Sequence, residues 1–169
     1  AGPLQLPLNN LGITTLDYRG EKGIATALGH APLPALINPQ AGSRLAIAES
    51  LTNLVWAPID GKLSGVSLSA NWMWPAKNEG ENYRLYKAVE AVSEFAIDLG
   101  INIPTGKDSL SMTQKYPDGK VVYAPGTVII SAVGEVSDIK KAVSTRLQPI
   151  SGTKLIYIDF SNKPFELGG

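Results

Sequence analysis

"NPQAGSRLAIAESLTNLVWAP", residues 38–58, is the stretch on which the fold turns. Asn38 can cap a helix with its side-chain oxygen, and Pro39 suits the first helical position, where no N–H is needed. Ile47, Leu51, Leu54 and Val55 recur at helical spacing, and Pro58 marks the stop. The spacing therefore predicts a helix packed against a core. Glu49 and Asn53 stand four residues apart, so they leave the same side of that helix, one turn apart. An anionic oxygen beside a neutral carbonyl oxygen is a pair that Mg²⁺ accepts, with water and phosphate oxygens completing the shell. A solvated polar strip opposite the core is the other reading of the same pair.

"EGENYRLYKAVEAVSEFAIDLG" (79–100) predicts a second long helix. Leu85, Ala88, Val89, Val92, Phe95, Ala96 and Leu99 form one apolar stripe, and Gly100 fits the position just past its end. Strand-like stretches flank the two helices. "KGIATALGHAPLPALI" (22–37) reads as a strand followed by a Pro-broken loop, and "GKLSGVSLSANWMW" (61–74) alternates through Leu63, Val66 and Leu68. "INIPTGKDSLSMTQKY" (101–116) reads as a short strand, a Gly-containing loop and a further strand. "YPDGK" is a turn leading into "VVYAP", and "GTVIISAVGEV" (126–136) is a buried-type strand. "SDIKKAVS" (137–144) predicts a short helix capped by Ser137 or Asp138. The expected fold is α+β, with two long helices on one face of a mixed, mostly antiparallel sheet. Residues 1–146 make the domain. Residues 147–169 are a linker and "LIYIDF" (155–160), the first strand of a following, truncated domain.

The totals remove whole classes of function. The chain has 169 residues, enough for one domain and a fragment of a second. Its 15 basic and 15 acidic residues cancel, which leaves no electrostatic footprint for nucleic acid or an anionic membrane. The absence of cysteine excludes disulfides, thiolate catalysis and Cys-based metal sites, and a single histidine, His30, excludes a multi-His site. No apolar run approaches the roughly 20 residues that cross a bilayer, and "AGPLQLPLNN" lacks the form of a signal peptide. A cytoplasmic location is the expectation.

Three further stretches carry polar groups in apolar surroundings. In "PTGKDSLSM" (104–112), Lys107, Asp108, Ser109 and Ser111 cluster beside Gly106, a set that can hold a phosphate or simply connect two strands. It is not a Walker A motif, whose first Gly and following helix are missing. "SANWMW" (69–74) sets Asn71 beside Trp72 and Trp74, as a pocket lining or, more simply, as core or interface packing. His30 stands alone and reads as a structural or surface histidine rather than a general base. Asn9 and Asn10 sit where an extended chain meets the first strand.

Together, "GIATALGHAP", "SRLAIAESLTNLVWAPI", "LSANWMW", "NIPTGKDSLSM" and "TVIISAVGEV", in this order and spacing, resemble the formylglycinamide ribonucleotide amidotransferase (phosphoribosylformylglycinamidine synthase) family over about residues 3–169. The resemblance implies the first domain of the second of two tandem aminoimidazole ribonucleotide synthetase-like modules. It implies a sheet whose other face closes a barrel-like interface with the first module. It also implies that Glu49 and Asn53, with Asn10, hold Mg²⁺ against the phosphates of ATP or ADP. Asn9, Lys107, Asp108 and Ser109 are implied on the nucleotide and phosphate surface. The family has an Asp where Asn10 stands, so this chain brings one charge fewer to the metal, and a further family Asp lies beyond Gly169. None of these residues is implied to be catalytic.

The whole enzyme is implied to be an ATP-dependent ligase of purine synthesis. It would phosphorylate the formyl amide oxygen of formylglycinamide ribonucleotide, which ammonia from glutamine then displaces. Ammonia supply needs a glutaminase domain elsewhere, because this chain has no cysteine. The piece alone is expected to be inactive and able to pair with a second copy through its sheet face. The alternatives are a domain of a related synthetase, of aminoimidazole ribonucleotide or selenophosphate type, and a scaffold domain without a ligand of its own.

Overall fold

The computed structural model describes residues 10–159. Their elements run β1 (Leu11–Thr15), β2 (Gly23–His30), α1 (Pro32–Ile37), α2 (Pro39–Leu54), β3 (Val66–Met73), α3 (Glu81–Leu99), β4 (Asn102–Ser109), β5 (Thr113–Lys115), β6 (Val121–Tyr123) and β7 (Thr127–Val136). Five strands form one sheet in the order β1-β2-β7-β3-β4, antiparallel except for the β3–β4 pair. That parallel pair needs a long crossover, which α3 supplies. β5 and β6 make a separate two-stranded ribbon across the Pro-Asp-Gly turn.

The helices cover one face of the sheet. Strict alternation puts Ala25, Ala27 and Gly29 of β2, and Val128, Ile130, Ala132 and Val136 of β7, on that face, where they are buried. From above, Ile47 and Leu54 of α2 and Ala88, Val92 and Ala96 of α3 complete the core. Burying a side chain the size of Ile47 or Leu54 contributes about 1.5–3 kcal/mol. The intervening residues Thr26, Leu28, His30, Ser131 and Val133 are exposed on the opposite face.

Asn38 is the N-cap of α2, its Oδ1 accepting from Ala41 N–H at 2.9 Å, with Pro39 in the first turn. The helix stops at Leu54, before Pro58, and Val55 is exposed rather than part of the buried stripe. Gly100 ends α3 in the left-handed conformation (φ +68°). In α3 the buried side is made by Ala88, Ala91, Val92 and Ala96, and Val89 is exposed.

Four local expectations change. Residues 32–37 are a helix, not a loop, because Pro32 falls at its first turn, where its missing N–H costs nothing. Residues 104–109 are strand, not loop. β4 continues through Gly106, where an added Cβ would stand 2.2 Å from the Ala70 carbonyl oxygen. Residues 137–144 contain only a 3₁₀ turn, Ile139–Lys141, with Asp138 as its cap. Described residues 155–159 form neither helix nor strand, and Leu155, Ile156, Tyr157 and Ile158 are exposed. Trp74 is core: fully buried, its Nε1 donates to Glu81 Oε2 at 2.9 Å.

Candidate functional site

Among the described residues the β1–β2 ladder ends at the pair Leu11–Ala27, and the last three residues of β2 run past it. Their backbone groups on that side are met by α2. His30 N–H donates to Glu49 Oε2 at 2.7 Å, and Asn53 Nδ2 donates to the Leu28 carbonyl at 2.9 Å. Glu49 and Asn53 thus act as a substitute strand, one accepting and one donating. The helix can reach the strand because Gly29 lies between the two contacts. A Cβ there would stand 2.1 Å from Ala46 O and 2.4 Å from Ser50 N.

These bonds orient both side chains. A carbonyl only accepts, so the Asn53 contact fixes Nδ2 on the strand and turns Oδ1 away from it. Glu49 keeps Oε1 outside its contact with His30. Backbone partners that lock a ligand's orientation in this way are the usual support of a metal site.

Asn10, Glu49 and Asn53 line one groove of about 940 Å³ on the uncovered face of the sheet, with His30 at the same groove. Three of the sequence-predicted oxygen donors therefore share one groove. Among them Glu49 carries the only formal charge, and the described residues contain no cluster of three or more His, Cys, Asp or Glu side chains that could hold a metal. A donor set of one carboxylate and two amide oxygens fits an Mg²⁺ that keeps waters or brings phosphate oxygens with it.

Lys107 and Asp108 are not part of this groove. They line a second hollow, about 380 Å³, with Leu85, Val89 and Trp72 between β4 and α3. Lys107 Nζ donates to Ser109 Oγ at 2.7 Å, and strand alternation directs Asp108 to the other side. Asn9 lies outside the described residues.

Sequence reasoning passed over two features of the groove. His30 reads as solitary in the sequence, yet its period-2 alternation with Thr26 and Leu28 places it on the uncovered face. The register also aligns Leu28, Ser131, Ser69 and Thr105 in one row across four strands, three of them hydroxyl residues lining the groove floor. The alternation in "VSLSAN" and "VIISAV" carries that signal. Asn71 Oδ1, on β3, is buried with no hydrogen-bond partner.

A family model described as the FGAR-AT PurM_N-like domain matches residues 1–135. Among curated relatives, the probable phosphoribosylformylglycinamidine synthase, chloroplastic/mitochondrial, of Arabidopsis thaliana is 44% identical over 170 residues, 99% of this chain and 12% of that protein. The probable phosphoribosylformylglycinamidine synthase of Caenorhabditis elegans is 39% identical over 99% of this chain and 13% of that protein. The phosphoribosylformylglycinamidine synthase of Schizosaccharomyces pombe is 41% identical over 99% and 13%. The chain thus spans 12–13% of the length of these relatives. Among solved structures, Thermotoga maritima PurL complexed with ADP aligns with a TM-score of 0.62 at 16% identity, over 82% of this chain and 22% of that one. The same protein complexed with FGAR gives 0.62 at 17%, over 82% and 21%. At such identities the fold is what is shared.

Proposed function

Because this chain belongs to the FGAR-AT PurM_N-like domain family, we propose that it works as one part of a phosphoribosylformylglycinamidine synthase, the ligase that joins glutamine-derived nitrogen to formylglycinamide ribonucleotide with ATP. Its share of that work is an auxiliary Mg-nucleotide site in the groove of Asn10, Glu49 and Asn53, and the module interface on the uncovered sheet face. The observation that carries this reading is the pair of contacts to β2, which hold Glu49 and Asn53 one turn apart at the wall of one groove. The names of the relatives and the ADP- and FGAR-bound PurL neighbours support it.

In this reading Mg²⁺ neutralises phosphate charge and tethers the nucleotide. Glu49 supplies the anionic oxygen, Asn53 and Asn10 supply neutral ones, and the backbone of β2 keeps the first two from turning away. Asn9, Lys107, Asp108 and Ser109 belong to the wider nucleotide and phosphate surface. Residues 1–146 form the domain, and 147–169 lead into a following one. The exposed apolar run Leu155–Ile158 supports that boundary, since such a run calls for a partner surface to cover it. The first synthetase module covers the sheet face in the whole protein, and a second copy of this chain can take its place when the domain is alone. The glutaminase cysteine comes from elsewhere in the polypeptide. A cytoplasmic location belongs to the same reading, and no described helix is long and apolar enough to cross a membrane.

Calorimetric titration of the full polypeptide with Mg·ADP tests this. A binding event that Glu49→Ala removes is the expected result, and titrations that Glu49→Ala leaves unchanged overturn the site. A scaffold role without ligand is the second reading, favoured by the neutral Asn10 at the groove. It is the one that remains if no such event occurs.

A further inference from the structure

We infer that the hollow at the C-terminal end of α2 binds a small aliphatic carboxylate, with Lys62 meeting its charge. This hollow shares no lining residue with the groove of Glu49 and Asn53, and its role does not rest on the reading of that groove.

Its volume is about 310 Å³. Leu54 of α2 and Val66 of β3 are buried within it, while Val55 and Leu63 form an apolar lip open to water. Small-molecule sites have this character: a concave, mostly apolar wall with very few placed polar groups. Every lining residue except Lys62 is aliphatic, and no carboxylate is among them. A wall without aromatic rings suits a hydrocarbon chain better than a flat ring, which gains most by stacking.

The loop that builds the hollow is pinned on two sides. Asp60 N–H donates to the Glu135 carbonyl at 2.9 Å, and Ile59 bridges to Val136 at the end of β7. Val143 N–H donates to the Trp56 carbonyl at 2.8 Å. The hollow is thus formed in advance, and a ligand need not order the loop in order to bind.

Lys62 supplies the charge. It is the one non-glycine residue with positive φ (+55°) among the described residues. That conformation crowds Cβ against the following carbonyl oxygen, and a glycine would adopt it without strain. Strained backbone of this kind collects at ligand clamps, where a side chain must be held in one place. Among the described residues no carboxylate forms an ion pair with Lys62. An aliphatic chain with one negative end matches both the wall and the cation. A cationic ligand would set like charges together.

Octanoate is the probe, titrated by calorimetry into the full natural polypeptide, with octylammonium as the analogue of opposite charge. Octanoate should bind with a Kd of about 1 mM or tighter. Lys62→Gln should weaken it roughly three-fold or more, as for a partly exposed ion pair, and added salt should weaken the parent in the same direction. Lys62→Glu should reverse the preference in favour of octylammonium. Leu63→Glu, at the exposed lip, should weaken octanoate with Lys62 still in place. Lys62→Gly relieves the backbone, so it should hold or raise the urea midpoint while losing octanoate as Lys62→Gln does. Octanoate bound equally by the parent and Lys62→Gln overturns the proposal, and so does octylammonium bound as tightly as octanoate. Absence of octanoate binding to the full polypeptide overturns it too, and would mean that another part of the polypeptide fills the hollow.

Discussion

Gly29 lies so close beneath Ala46 that a methyl group on it would stand 2.1 Å from the Ala46 carbonyl oxygen. The contact is backbone against backbone, so no side chain can turn aside. Gly29→Ala should therefore push α2 off β2 and cost about 2–4 kcal/mol. Urea denaturation checks it, and a loss under about 0.5 kcal/mol would show that the helix yields more easily than this packing allows.

The two contacts flanking Gly29 differ in chemistry, and substitutions separate them. Asn53→Ala removes one partly exposed hydrogen bond and should cost about 1 kcal/mol. Asn53→Asp should be worse than alanine, by about 1 kcal/mol or more, since it sets a carboxylate against the Leu28 carbonyl. Glu49→Gln should stay within about 0.5 kcal/mol of the parent because an amide oxygen replaces Oε2 as acceptor. A reversed order of the two Asn53 variants in chemical denaturation would mean that the amide does not donate to β2.

The turn after β1 has its own pH dependence. The Asp17 carboxylate accepts from the N–H groups of Lys22, Glu21, Gly20 and Arg19. These donors, Lys22 foremost, hold its pKa below the ordinary 3.8. A carboxyl that is more acidic folded than unfolded adds stability above its unfolded pKa and loses it as pH falls through the folded one. Asp17→Asn should thus be less stable than the parent at pH 7, and the gap should close below about pH 3.8. Stability curves that stay parallel down to that limit would disprove the role of Asp17.

Gly126 makes room for Trp74. A Cβ at Gly126 would come within 2.3 Å of the indole carbon Cε2 of that fully buried ring. Gly126→Ala should cost about 1–3 kcal/mol and perturb the aromatic circular dichroism. An unchanged near-ultraviolet spectrum would contradict this packing.

Legibility followed how local each cause is. Asn38 and Pro39 announced α2 because a cap and a preset φ act within one turn. Gly100 announced the end of α3 for the same reason. α1 was missed because Pro32 and Pro34 look like breakers unless the first turn is known to begin there. The start of β4 was legible as a short strand, but its continuation through Gly106 was not, because most of its residues are exposed at a sheet edge, so no alternation marks it, and Gly106 is explained only by Ala70 on the next strand. The stretch from Leu155 looked like a strand from its residues alone, but strands exist by pairing, and its described residues form none. Among site residues, Glu49 and Asn53 were visible from helical spacing. Their bonds to His30 and Leu28 were not, since those cross between elements.

The single-turn offset between Glu49 and Asn53 also limits how this region can change over generations. One residue gained or lost between them would rotate Asn53 by about 100° around the helix axis and carry it off the strand. Natural length variation should accordingly collect in the turns and the β5–β6 ribbon, while the segment from Ala46 to Asn53 keeps a fixed ruler.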